Sequence, residues 1–230
     1  MSYTYEYPRP SLTLDTAIFI FPKNQLKILL IQRKNGPFKN FWALPGGFLE
    51  MDETLETGAY RELLEETGVK NVYLEQLYTF SDVNRDPRGR VITVAYMALL
   101  RPSESPPLKA DSDARQVKWF SVYKLPKLAF DHKKIIQYSL ERLRNKLNYT
   151  TVGFQLLEEE FTLTELQQVY EVILKRKLDK RNFRKKMLSL KILNSRKEFR
   201  KSGANRPAQL YELNKKKFLM LHTKGFTPSL

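Results

Sequence analysis

The chain of 230 residues contains no cysteine and only two histidines, His132 and His222. The lack of cysteine excludes a disulfide framework, a thiol nucleophile and a zinc site with thiolate ligands. The longest apolar run, VITVAYMALL at residues 91–100, has ten residues, whereas a membrane-spanning helix needs about 20. Because the first residues also lack the basic and then apolar pattern of a secretory signal, we expect a cytoplasmic protein without a membrane anchor.

Acidic side chains are few relative to basic ones, 25 against 40, which gives a net charge of +15. Residues 1–150 contribute 22 basic and 17 acidic side chains, and residues 151–230 contribute 18 and 8. The densest stretch, residues 175–206, has 14 basic side chains and two acidic ones. Such a concentration of positive charge indicates a polyanionic partner. We therefore expect two domains, 1–150 and 151–230, of which the second carries most of the charge.

The first domain alternates strand-like and helix-like patterns. Runs rich in β-branched residues at 12–21 and 26–32 predict a hairpin. Further strand-like runs follow at residues 72–80, 91–100 and 116–120. Apolar spacing predicts helices at residues 53–67 and 133–147. Asp52 and Asp131 are the candidate N-caps, and Gly68 is the candidate stop of the first helix. Strands covered by helices on both faces make an α/β sandwich.

An acidic cluster lies on the first of these helices. Glu62, Glu65 and Glu66 stand at positions i, i+3 and i+4, so their carboxylates share one helix edge. Like charges at this spacing cost about 0.2–0.5 kcal/mol per pair. A hard divalent cation offsets this repulsion, because Mg²⁺ and Mn²⁺ prefer carboxylate and phosphate oxygens. The alternative for three glutamates alone is a solvated acidic face.

The residues around this cluster match the pattern G-x5-E-x7-R-E-U-x-E-E-x-G-U, with U aliphatic, from Gly47 to Val69. On these positions the chain resembles the Nudix family of nucleoside-diphosphate-X pyrophosphohydrolases, over about residues 10–130. The resemblance implies an α/β/α sandwich with a mixed sheet, in which a water activated by Mg²⁺ or Mn²⁺ attacks a pyrophosphate phosphorus. It assigns catalytic roles to Glu65, Arg61 and Glu53, and it assigns the metal to Glu62, Glu65, Glu66 and the carbonyl of Gly46.

One position departs from the family pattern. Nudix hydrolases of the ADP-ribose type often place a glutamate base shortly before a Trp-Phe pair, and here that place holds Gln116. A neutral amide cannot take a proton, so Asp111, Asp113 or Glu65 would have to act as the base. Ligand binding is therefore the firmer expectation, while the intact box favours retained hydrolase activity.

Three arginines lie in the turn-forming segment between two predicted strands. Arg85, Arg88 and Arg90 present guanidinium forks, which suit phosphate oxygens. Together with Gly47 they are the predicted ligand contacts, and a solvated hairpin loop is the alternative.

The second domain has the pattern of a winged helix-turn-helix. A helix at residues 161–173 opens with a capping box of Thr162 and Glu165, and Asp179 is the N-cap of a basic helix at residues 180–190. Two strand-like runs, 192–199 and 208–214, then predict a hairpin. In this motif the second helix enters the major groove of DNA. The predicted DNA contacts are Lys180, Arg181, Arg184, Lys185, Arg200, Lys201 and Arg206. The alternative is a basic hairpin that packs on the first domain or on RNA.

A Nudix domain followed by such a module resembles the Nudix-related transcriptional regulator family over nearly the whole chain. The resemblance implies a first domain that senses ADP-ribose or a related nucleotide sugar or sugar. It also implies a homodimer on a palindromic double-stranded DNA operator, as a repressor or an activator. The rival hypothesis is a Mg²⁺-dependent ADP-ribose pyrophosphatase whose basic domain serves only dimerisation or tethering to nucleic acid.

Overall fold

The chain divides into two compact units in the computed structural model, which describes residues 4–70, 72–108, 114–201 and 206–218. Unit 1 comprises Met1–Phe19, Lys27–Leu99 and Glu104–Ser139, and unit 2 comprises Ile20–Leu26, Leu100–Ser103 and Leu140–Leu230. The expected domain boundary at residue 150 stays a prediction. In the described ranges, no helix combines the length and apolarity that crossing a membrane requires.

Unit 1 is built on a six-stranded sheet. Its strands are β1 Ser11–Ile20, β2 Lys27–Arg33, β3 Trp42–Ala43, β4 Tyr73–Phe80, β5 Val91–Leu100 and β6 Ala114–Ser121. The order is β3-β2-β1-β5-β4, and β6 also pairs with β2, antiparallel and with Ile28 opposite Phe120. The five strands expected from the sequence are confirmed. Strand β3 was not expected, because two residues are too short to show a pattern.

Two helices complete unit 1: α1 at Leu55–Thr67 and α2 at His132–Leu147, which continues into unit 2. Successive side chains of a strand point to opposite faces, and nearly every side chain of β1 and β5 is buried. The sheet is therefore covered on both faces, as the sandwich prediction requires. Helix α1 contributes Ala59, which packs with Leu14 of β1 and Val94 of β5.

The start of α1 differs from the prediction. The N-cap is Thr54, whose side chain accepts the Thr57 N–H at 3.2 Å, so the expectation of Asp52 was wrong. Glu53, which precedes the cap, has its carboxylate bound to Arg61 and to the Glu50 N–H. Its predicted end is confirmed, since Gly68 takes a left-handed φ of 72° at the C-cap.

Unit 2 contains a helix-turn-helix and a small sheet. Its remaining elements are β7 Phe161–Thr162, α3 Leu163–Leu174, α4 Lys180–Ser189, β8 Leu193–Arg200 and β9 Ala208–Leu213. The sheet order is β7-β9-β8, with both pairs antiparallel. The capping box of Thr162 and Glu165 and the N-cap Asp179 are confirmed. The ring of Tyr170 packs edge-on against Phe183 at 5.5 Å, which joins α3 to α4.

Candidate functional site

The loop before α1 is tied both to β1 and to the acidic edge of the helix. The N–H groups of Leu14 and Thr16 donate to the carbonyls of Gly47 and Pro45, each at 2.8 Å. A Cβ at Gly46, where φ is +150°, would stand 1.9 Å from the Leu14 carbonyl oxygen, so this contact requires glycine. The Gly46 N–H in turn donates to the Glu66 carboxylate at 2.6 Å. Two of the predicted metal-binding residues are therefore in direct contact.

Arg61 connects the other acidic residues of the box. Its guanidinium donates to both oxygens of Glu53, at 2.7 and 3.0 Å, and to the Phe48 carbonyl at 3.2 Å. It also donates to Glu62 at 2.8 Å and to Glu65 at 3.2 Å. The hydrogen bonds from Arg61 lower the pKa of Glu53 to about 2. One guanidinium thus offsets much of the repulsion that the sequence attributes to this cluster.

The box is suited in chemistry, and only partly in arrangement, to a divalent cation. Its candidate ligands are carboxylate and carbonyl oxygens, which are the donors that Mg²⁺ prefers. Burial raises the pKa of Glu62, which disfavours its charged form. A nearby cation would have the opposite effect and stabilise the carboxylate. Across the described parts of the chain, however, no three acidic or histidine side chains converge as a ready-made metal site.

A polar cavity of about 270 Å³ lies in unit 1 beside the box. Gly46, Gly47 and Glu66 line it from the box. Its walls also carry the basic side chains Arg33, Lys34, Arg85 and Arg88 and the acidic side chains Asp15 and Asp86. These basic side chains beside the box suit an anionic ligand that contains a diphosphate.

The three arginines of the predicted ligand loop have different environments. Arg85 lines the cavity but is almost fully buried, with 3% of its side chain exposed, and it donates to Asp131 at 2.7 and 3.0 Å. Arg88 lines the cavity with 41% of its side chain exposed and forms a two-pronged pair with Asp86. Arg90 donates to the Ser81 carbonyl at 2.8 Å. Arg88 is therefore the best placed of the three to meet a ligand.

A buried histidine and aspartate on the cavity wall were missed by the sequence analysis. The Nδ1 atom of His132 accepts the Leu44 N–H at 2.8 Å, so the ring proton is on Nε2. Burial lowers the pKa of His132, which keeps the ring neutral. Its Nε2 lies 3.4 Å from Asp15 Oδ1. No local signal marks these residues, since β1 and α2 are far apart in sequence.

An aromatic ring on the cavity wall was also missed. Phe130 lines the cavity, and the guanidinium carbons of Arg33 and Arg88 lie 4.9 and 5.5 Å from its ring centroid. Phe38 packs edge-on against the same ring at 4.8 Å. The cavity thus combines cations with a flat apolar surface, as a nucleotide requires.

In unit 2 the basic side chains of α4 remain available to a partner. The helix carries five basic residues and no acidic one. Among the residues that the structure describes, none pairs with the predicted DNA contacts Lys180, Arg181, Arg184 and Lys185. The apolar side of α4 is buried through Phe183 and Met187, so the basic side faces outward.

The hairpin places its predicted contacts differently. Arg200 donates to Glu165 at 2.9 and 3.2 Å and to the Glu160 carbonyl at 3.0 Å, so its guanidinium is occupied within unit 2. Lys201 and Arg206 are exposed on either side of the hairpin tip, residues 202–205, which lies outside the described residues. The aromatic side chain of Phe199 on β8, which the sequence did not single out as a contact residue, is 60% exposed.

Comparison with known proteins relates both units to one family. Residues 12–139 match the NUDIX domain, and residues 153–213 match the NrtR DNA-binding winged helix domain. The ADPR responsive transcriptional repressor NtrR of Acinetobacter baylyi is 43% identical over 209 residues, which cover 90% of this chain and 83% of the relative. The chain belongs to the NrtR family.

Solved structures agree with membership of the NrtR family. Shewanella oneidensis NrtR complexed with a 27mer DNA superposes with a TM-score of 0.80 at 38% identity, over 94% of this chain and 96% of that one. The NUDIX domain of the same protein complexed with ADP ribose has a TM-score of 0.54 at 40% identity, over 60% of this chain and 90% of that one. The fold prediction, a Nudix sandwich followed by a winged helix, is confirmed.

This NrtR-family chain is also similar to an enzyme. The ADP-ribose pyrophosphatase of Methanocaldococcus jannaschii is 44% identical over 131 residues, which cover 57% of this chain and 73% of that enzyme. Gln116, which replaces the expected base, is exposed on β6 opposite Gln32. The alternative bases Asp111 and Asp113 lie outside the described residues, and Glu65 is held by Arg61.

Proposed function

We propose that this protein is an ADP-ribose-responsive transcriptional repressor that binds a double-stranded operator as a homodimer. The proposal rests on two features of one chain: a cavity lined by basic side chains beside a complete Nudix box, and a basic helix α4 for which the described residues supply no acidic partner. The A. baylyi relative that shares these units is an ADPR responsive repressor. Because a repressor must reach chromosomal DNA, the proposal is consistent with the expected cytoplasmic location.

The ligand-binding part of the proposal is supported by the cavity. Arg88 and Arg33 supply positive charge for a diphosphate, and the Phe130 ring, over which both guanidiniums lie, adds an apolar surface for a base. Gly47 also lines the cavity, and it must be glycine because a Cβ there would stand 2.3 Å from Glu62 Oε1. This combination favours a nucleotide sugar over a free sugar, which has neither a base nor a phosphate.

The box would bind Mg²⁺ or Mn²⁺ through Glu62, Glu66 and the Gly46 carbonyl, with Glu65 as a further ligand. The oxygen donors and the contact between Gly46 and Glu66 support this assignment. When bound, the cation would offset the negative charge of the ligand's diphosphate. Arg61 and Glu53 would then position the glutamates through the bonds described above.

The DNA-binding part of the proposal assigns the groove contacts to α4. Lys180, Arg181, Arg184 and Lys185 provide the outward charge, and Lys201 and Arg206 flank the wing. Helix-turn-helix dimers read two half-sites of a palindromic operator, which supports the homodimer in the proposal. Arg200 contributes to the packing of unit 2 rather than to DNA unless its bonds to Glu165 and Glu160 break.

The proposal is tested by selecting a duplex from genomic fragments and measuring its affinity by fluorescence anisotropy, with and without ADP-ribose and Mg²⁺. We expect binding at nanomolar concentration, weakened about 5- to 150-fold by ADP-ribose. The double variant Arg181→Ala, Arg184→Ala should lose the duplex and keep ADP-ribose binding. ADP-ribose binding that leaves the DNA affinity unchanged would show that the protein is not a ligand-responsive repressor.

A second candidate function is pyrophosphate hydrolysis, which is favoured by the intact box and by similarity to the M. jannaschii enzyme. Chromatography of ADP-ribose incubated with the protein and Mg²⁺ would show AMP and ribose 5-phosphate if it turns over. Glu66→Gln should abolish that turnover, and Gln116→Ala should leave it unchanged. Absence of product over hours, with ADP-ribose bound, would leave ligand sensing as the sole role of unit 1.

A further inference from the structure

Asp15 is a buried residue of the cavity wall, and its carboxylate makes long contacts to the described neighbours Arg85 and His132. It lies on β1, is 6% exposed and lines the cavity. Its Oδ2 is 3.3 Å from the Arg85 guanidinium, and its Oδ1 is 3.4 Å from His132 Nε2. Asp131 takes the two shorter bonds of Arg85, at 2.7 and 3.0 Å. Because a carboxylate can accept about four hydrogen bonds, these two long contacts leave Asp15 with acceptor capacity.

The ligand group that contacts Asp15 must be a hydrogen-bond donor, and ADP-ribose offers only neutral donors. A phosphate oxygen would be repelled by the carboxylate, whereas a sugar hydroxyl donates to it. The His132 Nε2–H faces Asp15 Oδ1 at 3.4 Å, since the other ring nitrogen accepts the Leu44 N–H, so it helps to hold the carboxylate in place. The acceptor positions that remain on the carboxylate suit a sugar diol, whose hydroxyls can donate to it.

The position of Asp15 relates this diol to the diphosphate. A Cβ on Gly46 would stand 2.9 Å from the Asp15 Cα, so the Asp15 backbone packs directly on the box loop. Gly46 is the residue whose N–H contacts Glu66. In ADP-ribose the groups attached directly to the diphosphate are riboses, while the base is one ribose further away. A residue that packs on the box loop is therefore nearer to a ribose than to the base.

We propose that Asp15 is a specificity-determining residue whose carboxylate accepts a hydrogen bond from a ribose hydroxyl next to the ligand's diphosphate. The inference rests on the proposed function, because it requires ADP-ribose in the cavity of unit 1. ADP-ribose has two such riboses, and the chemistry is the same for both. Arg85 and His132 then act as positioning residues that fix the Asp15 carboxylate.

The test measures three ligands by calorimetry in Mg²⁺: ADP-ribose, ADP, which lacks the terminal ribose, and 2′,3′-dideoxy-ADP-ribose, which lacks both hydroxyls of the adenosine ribose. The wild-type protein should bind ADP-ribose about 10- to 100-fold more tightly than one of the other two, since a hydrogen bond to a charged group is lost. Asp15→Asn should weaken ADP-ribose binding by a similar factor. For the ligand that lacks the relevant hydroxyl, it should have almost no effect, which identifies the ribose.

Asp131→Asn is the matched control, because Asp131 also holds Arg85 but is not among the cavity-lining residues. It should weaken all three ligands by one common factor. An equal loss for all three ligands with Asp15→Asn would overturn the inference, since it would mean that Asp15 only positions Arg85 or contacts the base. A wild-type protein that binds no ADP-ribose would instead overturn the proposed function. Thermal unfolding of each variant verifies that it is folded.

Discussion

Single residues on the cavity wall show how burial changes the role that a side-chain type suggests. Arg85 stands in a loop with three arginines, which predicts phosphate binding, but its buried guanidinium is bonded to Asp131 and lies near Asp15. Removing it would leave buried carboxylates without a counter-charge, which is costly. Arg88, in the same loop, is partly exposed and adjoins the rings of Phe48 and Phe130. The difference comes from burial, which the local sequence does not encode.

We expect the neutral state of His132 to make unit 1 less stable in mild acid. Burial lowers the pKa of His132 in the folded state below its ordinary value of 6.5. The unfolded chain therefore binds a proton at pH values where the folded chain does not, and stability falls as pH decreases below about 6.5. Between pH 7.5 and 5 this effect amounts to at most about 2 kcal/mol.

The measurement is urea unfolding followed by tryptophan fluorescence, which reports unit 1 because Trp42 and Trp119 both lie there. The control is His132→Asn, whose amide oxygen can still accept the Leu44 N–H and which does not titrate. It should be less stable at pH 7.5 but should lose less stability on acidification. Parallel pH curves for the two proteins would contradict a neutral buried His132.

At the scale of helices and strands, features set by local sequence were predicted well. The capping box at Thr162, the N-cap Asp179 and the stop at Gly68 all depend on residues within one helical turn. The start of α1 was predicted wrongly because Asp52 and Thr54 are both suitable N-caps, and the structure uses Thr54. The pairing of β6 with β2 and the register of the wing depend on partners distant in sequence.

The basic side chains of α4, which have no acidic partner in the described part of the chain, predict a salt-dependent contact with DNA. Arg184→Ala should lower the slope of log affinity against log salt concentration by about 1 if its guanidinium contacts one phosphate. Arg196→Ala is the control, since Arg196 on β8 is paired with Glu160 at 2.8 Å and Glu212 at 3.3 Å. Titrations of the selected duplex from 50 to about 300 mM salt give both slopes. Equal slopes for the wild type and Arg184→Ala would exclude a phosphate contact at Arg184.

For the whole molecule, the asymmetry of charge between the two halves was the most informative property of the sequence. It separates a domain with an acidic helix from one with a basic helix, and the matches at residues 12–139 and 153–213 follow the same division. The cavity could not be predicted in this way. Its wall combines residues from β1, β2, the loop before α1, the arginine loop and α2, which only the folded chain brings together.

Linkage between the two sites gives a prediction that involves the entire protein. If ADP-ribose weakens operator binding by a given factor, saturating operator must weaken ADP-ribose binding by the same factor. Calorimetry of ADP-ribose with and without the duplex measures the second factor. The Arg181→Ala, Arg184→Ala variant should show no effect of duplex. Unequal factors would indicate that ADP-ribose is consumed during the DNA measurement, as hydrolysis would cause.

The hydrogen bonds of Arg61 hold the Nudix box in shape without a metal ion. In many metal sites one ion both folds the surrounding loop and performs the reaction, so chelation unfolds them. Here the guanidinium of Arg61, which a chelator cannot remove, already bridges Glu53, Glu62 and Glu65. If a chelator removes the divalent cation proposed for the box, the loop should keep its shape. The cation should then rebind without any refolding of the loop.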